Sequence, residues 1–296
     1  MGRLDILCIG GAHFDAHLKC LREFKMGQSN PVSGVKALGG VASNLAVHFK
    51  HYGHNVAIQT VCGYDYSVIP YLQRFGIDTS LIKTLKRIPT ASYTAAIDPR
   101  GNIIAALENT EIYNSMTPDF FEDEKDEMVK YPVWVVEVNI PEESVEKIAS
   151  LLPEGNRCFG IMVNPYKAPR MRPILDKLEI LFCNKLEVQS FCDVKITSIE
   201  QAKQVVKSIK DMGPKKVFMT MGADGIVYAD ENDVVFWEVP EVEIVNEIGA
   251  GDGFAAGVIE AMLHGKEPFE AVQEGFKLAH QVLKCSNSAH GRLAYP

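Results

Sequence analysis

The chain has 296 residues, 47% hydrophobic and 23% charged, enough for one large domain or two small ones with an ample core. A formal net charge of −8 excludes a general binder of nucleic acid or membrane surfaces, while a local pocket can still take a small anion. No run reaches the roughly 18 apolar residues of a membrane span. None follows Met1-Gly2-Arg3-Leu4-Asp5 as a signal peptide requires, and the seven cysteines, without a C-x-x-C pair, read as reduced thiols of a cytoplasmic protein.

In chain order, Leu4 to Ile9 reads as a buried strand ending at Gly10-Gly11, with no dinucleotide-type glycine fingerprint behind it. Asp15 follows in an alternating stretch that predicts a half-exposed strand. Gly39-Gly40 opens an amphipathic helix with Val41, Leu45, Val47 and Phe49 in its stripe, stopped by Gly53. His48, His51 and His54 fall near its end, where imidazoles suit the helix dipole and solvent, and no Cys/His spacing supports zinc. Val56–Val61 is a strand, and the next helix ends near Gly76. Ala91–Ile97 and Asn102–Leu107, joined by Asp98-Pro99-Arg100-Gly101, form a hairpin.

From Val133 strands and helices alternate. Strands Val133–Val138, Cys158–Val163 and Ile180–Cys183 are each followed by a helix, and a helix over 198–212 starts with Ser198 and Gln201 as a capping box. Strands Val217–Met221, Ile226–Ala229, Val234–Trp237 and Val242–Val245 lead to a last helical pattern with Phe254, Val258, Ala261 and Met262 on one face. This rhythm predicts a single α/β domain over 1–296, a mostly parallel sheet with helices on both faces. The segments at about 13–36 and 91–108 interrupt it and read as a small inserted β-sheet, a lid. Its exposed edge strands suggest a homodimer through the lid.

Four stretches carry candidate chemistry, each at a strand end. Gly249-Ala250-Gly251-Asp252 opens a helix, so its bare N–H groups make an anion site, and a carboxylate there needs a task. That task is to accept a proton during phosphoryl transfer; alternatively Asp252 simply suits the dipole. Gly39-Gly40 with Asn44 admits a polyol or is an ordinary glycine turn with a surface Asn. Asn184 and Glu187, one helical turn past a strand, suit a hydrated Mg²⁺ or form a helix cap. Thr220, Gly222 and Gly225 cradle nucleotide phosphates or form a hairpin turn.

In this order, Gly39-Gly40…Asn44-Leu45-Ala46, Gly63-Tyr64-Asp65, Asn184-x-x-Glu187, Thr220-x-Gly222-x-x-Gly225 and Gly249-Ala250-Gly251-Asp252-Gly253-Phe254 resemble the PfkB, or ribokinase-like, family of small-molecule kinases, from about Asp5 to about His290. The resemblance implies ATP and Mg²⁺ as cofactors and a sugar or nucleoside as acceptor. It implies that Asp15, Gly40, Asn44 and Asn139 bind substrate hydroxyls and that Gly249, Ala250 and Gly251 form an anion hole. Asp252 becomes the base, its pKa held low by the dipole. Glu187 and Asn184 hold Mg²⁺ and phosphate, largely through water, while Thr220, Gly222 and Gly225 line the ATP site. Asn246-Glu247-Ile248 depart from the family's Asp-Thr-x, which puts a monovalent cation (K⁺) in question. Ser29-Asn30-Pro31 and Asn139-Ile140-Pro141 resemble the pseudouridine kinase branch, which adds Asn30 to the substrate-binding set; ribokinase and other sugar or nucleoside kinases are the alternatives, and a non-catalytic sugar-binding regulator is the alternative of another class.

Overall fold

Successive side chains of a strand point to opposite faces, and in β1 (Asp5–Ile9) both sets are apolar. Leu7 and Ile9 enter one core and Ile6 and Cys8 the other, all fully buried. Each Leu or Ile so buried contributes about 2 kcal/mol, so one strand anchors two layers. The computed structural model describes residues 3–65, 67–240 and 248–284. The expected strand Val242–Val245, like Asn246 and Glu247, lies outside them.

After β1 come β2 (His13–Cys20), β3 (Val32–Gly39), α1 (Val41–His51), β4 (Asn55–Cys62), α2 (Ile69–Arg74) and β5 (Ile82–Thr84). β6 (Ser92–Ile97), β7 (Ile103–Asn109), α3 (Pro118–Asp123), α4 (Lys125–Met128), β8 (Val133–Glu137) and α5 (Glu142–Leu151) follow. Then come β9 (Arg157–Ile161), a 3₁₀ helix (Ala168–Lys177), β10 (Ile180–Asn184), α6 (Lys185–Cys192) and α7 (Ile199–Lys210). β11 (Lys216–Thr220), β12 (Ile226–Ala229), β13 (Val234–Trp237), α8 (Ala250–Leu263) and α9 (Pro268–Leu283) complete the described chain.

Among the described residues the main sheet has nine strands, in the order β13-β12-β11-β10-β9-β8-β1-β4-β5. Pairing is parallel from β11 to β5 and antiparallel at the β11–β12–β13 edge. This is the α/β architecture expected from the alternating pattern. The interrupting segments form a second sheet of order β3-β2-β6-β7, with β2 and β6 parallel. Its hairpin turn is built by Asp98, whose Oδ1 accepts from the N–H groups of Arg100 and Asn102, both at 2.8 Å. α8 and α9 pack closely through glycines: a Cβ on Gly257 would come within 2.8 Å of the Glu274 carbonyl oxygen.

Three local expectations are corrected. At α7, Ser198 Oγ does accept from Gln201 N–H at 3.2 Å, but the Gln201 side chain accepts from Thr197, not from Ser198. The box is therefore half formed. His48 and His54 are buried rather than solvated. His54 accepts from Leu4 N–H through Nδ1 and pairs with Glu260 through Nε2 at 2.7 Å, pinning the start of β1 to α8. β2 is more buried than its alternation suggested, because the second sheet packs Asp15 against the body; Asp15 is only 4% exposed. No helix among the described residues is long and apolar enough to cross a membrane.

Candidate active site

Parallel strands deliver their carboxyl ends to one edge of the sheet, and loops there are free to carry polar groups. The ends of β8, β9, β10 and β11 and the strands β2 and β7 of the second sheet meet the start of α8 around a cleft of about 610 Å³. Its walls include Asp15, Gly40, Asn44, Asn139, Asn184, Glu187, Thr220, Gly249, Gly251 and Asp252. Residues that lie far apart in the sequence thus share one cavity.

Gly249 begins α8 in the left-handed region (φ 82°), which a side chain would strain, and Gly253 N–H closes the first turn on its carbonyl at 3.0 Å. Gly251 is exposed, with open space where a Cβ would stand. Ala250 starts the helix without lining the cleft. Asn44 Nδ2 donates to Asp252 Oδ2 at 2.7 Å, while Asn44 Oδ1 is buried and has no hydrogen-bond partner among the described residues. Asn44 owes this position to Gly40, whose φ of 91° turns β3 into α1 and whose Cβ would meet the Gly11 carbonyl oxygen at 2.4 Å.

The Asp252 carboxyl is pushed up to about 7, not held low. Burial is the main cause; the Asn44 bond opposes it, and Glu137, Asp15 and Glu187 add to it. Asp252 keeps part of its surface open to the cleft, which tempers the effect of enclosure. The dipole expectation failed because burial outweighs the partial charges of the helix end, and the fold gathers three further carboxylates nearby.

Asp15 is held by neighbours that the sequence reading passed over. His13 Nε2 lies 3.1 Å from Asp15 Oδ1, and His13 Nδ1 is 2.8 Å from the Tyr113 hydroxyl. Gly39 has no room for a side chain, since its Cβ would fall 2.2 Å from the Asp15 carboxyl carbon. Behind Asn139, Glu137 ends β8 and is 1% exposed. It accepts from the Gly11 N–H, from Asn139 N–H at 2.7 Å and from Asn139 Nδ2 at 3.1 Å. Burial raises its pKa, against these hydrogen bonds and Lys167. Lys167 Nζ donates to Asn139 Oδ1 at 2.9 Å and to Thr110 Oγ1 and Glu108 Oε2, both at 3.1 Å. A lone Glu within the apolar run Val133–Val138 was the available signal for this network, as was a Lys just past the end of β9.

Asn184 and Glu187 do form the helix cap: Asn184 Oδ1 accepts from Glu187 N–H at 3.0 Å and Glu187 Oε2 from Asn184 N–H at 2.7 Å. Burial pushes Glu187 up to about 7. Glu187 also lines the cleft, so cap and ligand roles coexist. A hard oxygen donor beside a polar cleft fits a largely hydrated Mg²⁺ that would complete its shell with water and phosphate. No group of three His, Cys, Asp or Glu among the described residues could cage a metal by itself.

Two expectations are not met by the geometry. Asn30 does not line the cleft; its amide accepts from Lys25 N–H at 2.8 Å and donates to the Lys25 and Gln28 carbonyls, closing its own loop. Gly222 and Gly225 also stay outside the described cleft walls. Gly225 is a turn glycine: φ is 125° and its Cβ would strike the Phe236 ring at 2.4 Å.

The sequence and the fold both have known relatives. The chain is 23% identical over 287 residues to the pseudouridine kinase of Escherichia coli (strain K12), covering 95% of this chain and 90% of that one. The ribokinase of Arabidopsis thaliana complexed with ribose and ATP superposes with a TM-score of 0.82 at 18% identity, over 99% of this chain and 97% of that one. A carbohydrate kinase from Agrobacterium tumefaciens gives 0.81 at 24% identity, over 98% and 94%. The fold is ribokinase-like, and the model of the pfkB family carbohydrate kinases matches residues 3–293. The chain therefore belongs to the pfkB family and is a kinase of the sugar and nucleoside class.

Proposed function

We propose that the protein transfers the γ-phosphoryl group of ATP to the 5′-hydroxyl of a ribosyl compound, with pseudouridine the first choice. The observation that carries this reading is the Asn44–Asp252 hydrogen bond at the glycine-bare start of α8. Asp252 can take a proton, and Asn44 Oδ1 can accept a second hydroxyl of the same sugar. A pKa of about 7 suits a general base at neutral pH. Asp15 and Asn139, on the cleft walls, would supply further hydroxyl contacts, and Gly249 and Gly251, which line the cleft at the start of α8, would offer backbone N–H groups to the arriving phosphoryl group. Mg²⁺, when bound beside Glu187, would offset charge on the phosphate oxygens. Thr220 and Asn184 then stand on the nucleotide side. The choice of pseudouridine is supported by the likeness to the Escherichia coli enzyme along nearly the whole chain.

The test is ADP release with Mg²⁺ATP across pseudouridine, uridine, ribose and fructose, repeated with Asp252→Asn. We expect pseudouridine to have the highest kcat/KM and the variant to bind ATP while losing about 10²-fold or more in kcat. Faster turnover of ribose or fructose rejects the substrate choice. Near-normal turnover by Asp252→Asn rejects the base. Binding without turnover on every compound points to a regulator.

A homodimer through the lid belongs to the same proposal. β7 is an exposed edge strand carrying Ile103, Ile104 and Leu107, the last 70% exposed. Light scattering on the eluted protein should give twice the 32.8 kDa chain mass; the chain mass itself rejects the dimer.

A further inference from the structure

Behind the cleft wall, bonded to Asn139, sits a buried lysine outside every motif of the sequence analysis. Lys167 is 7% exposed and follows β9 in the loop before the 3₁₀ helix at 168–177. An ammonium has three protons. Here Asn139 Oδ1, Thr110 Oγ1 and the Glu108 carboxylate take them, at 2.9 to 3.1 Å. No donor remains for a ligand, so Lys167 must act through the groups it holds.

The group it holds most tightly is the Asn139 amide, 4% exposed and part of the cleft wall. Its Oδ1 faces the Lys167 ammonium and its Nδ2 faces the Glu137 carboxylate, at 2.9 and 3.1 Å. Turning the amide over would set N–H against ammonium and carbonyl oxygen against carboxylate, two repulsive contacts in a buried site. An amide whose orientation is ordinarily ambiguous is here dictated by charge on both sides. One N–H of Nδ2 goes to Glu137; the second has no acceptor among the described residues and, since Asn139 lines the cleft, is the one a ligand can take.

We propose that Lys167 and Glu137 are specificity-positioning residues that lock Asn139 as a hydrogen-bond donor toward the acceptor substrate. The ligand class that follows is a hydroxyl compound presenting an oxygen acceptor at this end, a carbonyl or a hydroxyl lone pair, rather than an amino group. Because Glu108 belongs to β7 of the second sheet, the same lysine also ties that sheet to Asn139. The inference rests on the reading that Asn139 faces the phosphoryl acceptor.

The experiment is a double-mutant cycle of Lys167→Met and Asn139→Ala, assayed on pseudouridine, ribose and fructose. Ratios are taken on whichever of these the wild type phosphorylates, so a wrong guess about pseudouridine shows in the wild type alone. A charge-assisted hydrogen bond corresponds to a factor of roughly 10 to 100. Lys167→Met should raise the KM for the acceptor by about that factor, with kcat and the KM for ATP within about 3-fold. In the Asn139→Ala background the same change should add less than about 2-fold. Lys167→Gln, whose amide can still donate to Asn139, should recover part of the loss and covers the case of a Met variant that fails to fold. Additive effects, or a loss confined to kcat, overturn the proposal. If the wild type uses none of the three sugars, protein labelled with ¹⁵N-asparagine decides. The Asn139 side-chain amide pair should shift between wild type and Lys167→Gln, and an unmoved pair overturns the lock.

Discussion

The Asn44–Asp252 bond makes a pH prediction whose sign and size follow from the geometry. Asn44 donates to the carboxylate, so it stabilises the ionised form and lowers the Asp252 pKa against burial. Asn44→Ala removes a charge-assisted bond of about 1.5–3 kcal/mol, which at 1.36 kcal/mol per unit raises the pKa by about one to two units above its value of about 7. If Asp252 is the base, the acidic limb of kcat/KM against pH moves upward by that amount. At pH 7 the ionised fraction drops from about half to between about a tenth and a hundredth, a loss of roughly 5- to 50-fold. Raising the pH to about 9.5 should restore most of it, leaving only the pH-independent cost of the lost substrate contact. The assay is initial-rate ADP formation at saturating Mg²⁺ATP from pH 5.5 to 10. A limb that stays in place while activity falls equally at every pH would refute the coupling and leave Asn44 as a binding residue alone.

Two other expectations concern separate parts of the fold. Glu187 has a folded pKa of about 7, above the usual carboxylate value, so its ionisation opposes folding. The associated stability is present below the unfolded value of about 4 and is lost as the pH rises to about 7. Glu187→Gln keeps an acceptor for the cap at Asn184 N–H. Thermal melts at pH 8 should therefore show unchanged or higher stability, while the Mg²⁺ needed for half-maximal rate rises several-fold; unchanged Mg²⁺ dependence removes Glu187 from the metal site. Gly275→Ala places a Cβ 2.8 Å from both Phe254 and Val258 where α9 crosses α8. Overpacking there should cost about 1–3 kcal/mol in urea unfolding, and a neutral result would mean the helices can separate freely.

Much of the architecture follows from local pattern. A strand buried on both faces must be apolar on both, so Leu4–Ile9, Val133–Val138 and Ile180–Cys183 announced the parallel sheet without further help. Glycines at helix starts were equally plain, because Gly40 and Gly249 adopt backbone angles that other residues resist. The order of these motifs named the family and placed Asp252 and Asn44 in one site. Local pattern misled where a polar side chain had competing partners. Asn30 was satisfied within its own loop and Gln201 by Thr197. His54 found Glu260, 206 residues away.

Electrostatics could not be read in this way at all. The pKa of Asp252 depends first on its burial by the fold, then on Asn44, 208 residues distant, and on Glu137, Asp15 and Glu187, which belong to other strands and helices. Lys167 meets Glu108 and Asn139 across 59 and 28 residues. Periodicity and turn chemistry act over a few residues, so sequence suffices for elements and their order. Charge interactions act over a few ångströms whatever the separation along the chain, and those distances exist only once the strands have delivered their ends to a common cleft. The kinase class was therefore readable from the order of the four glycine- and carboxylate-bearing motifs, while the ionisation of Asp252 and the orientation of Asn139 were set by folding.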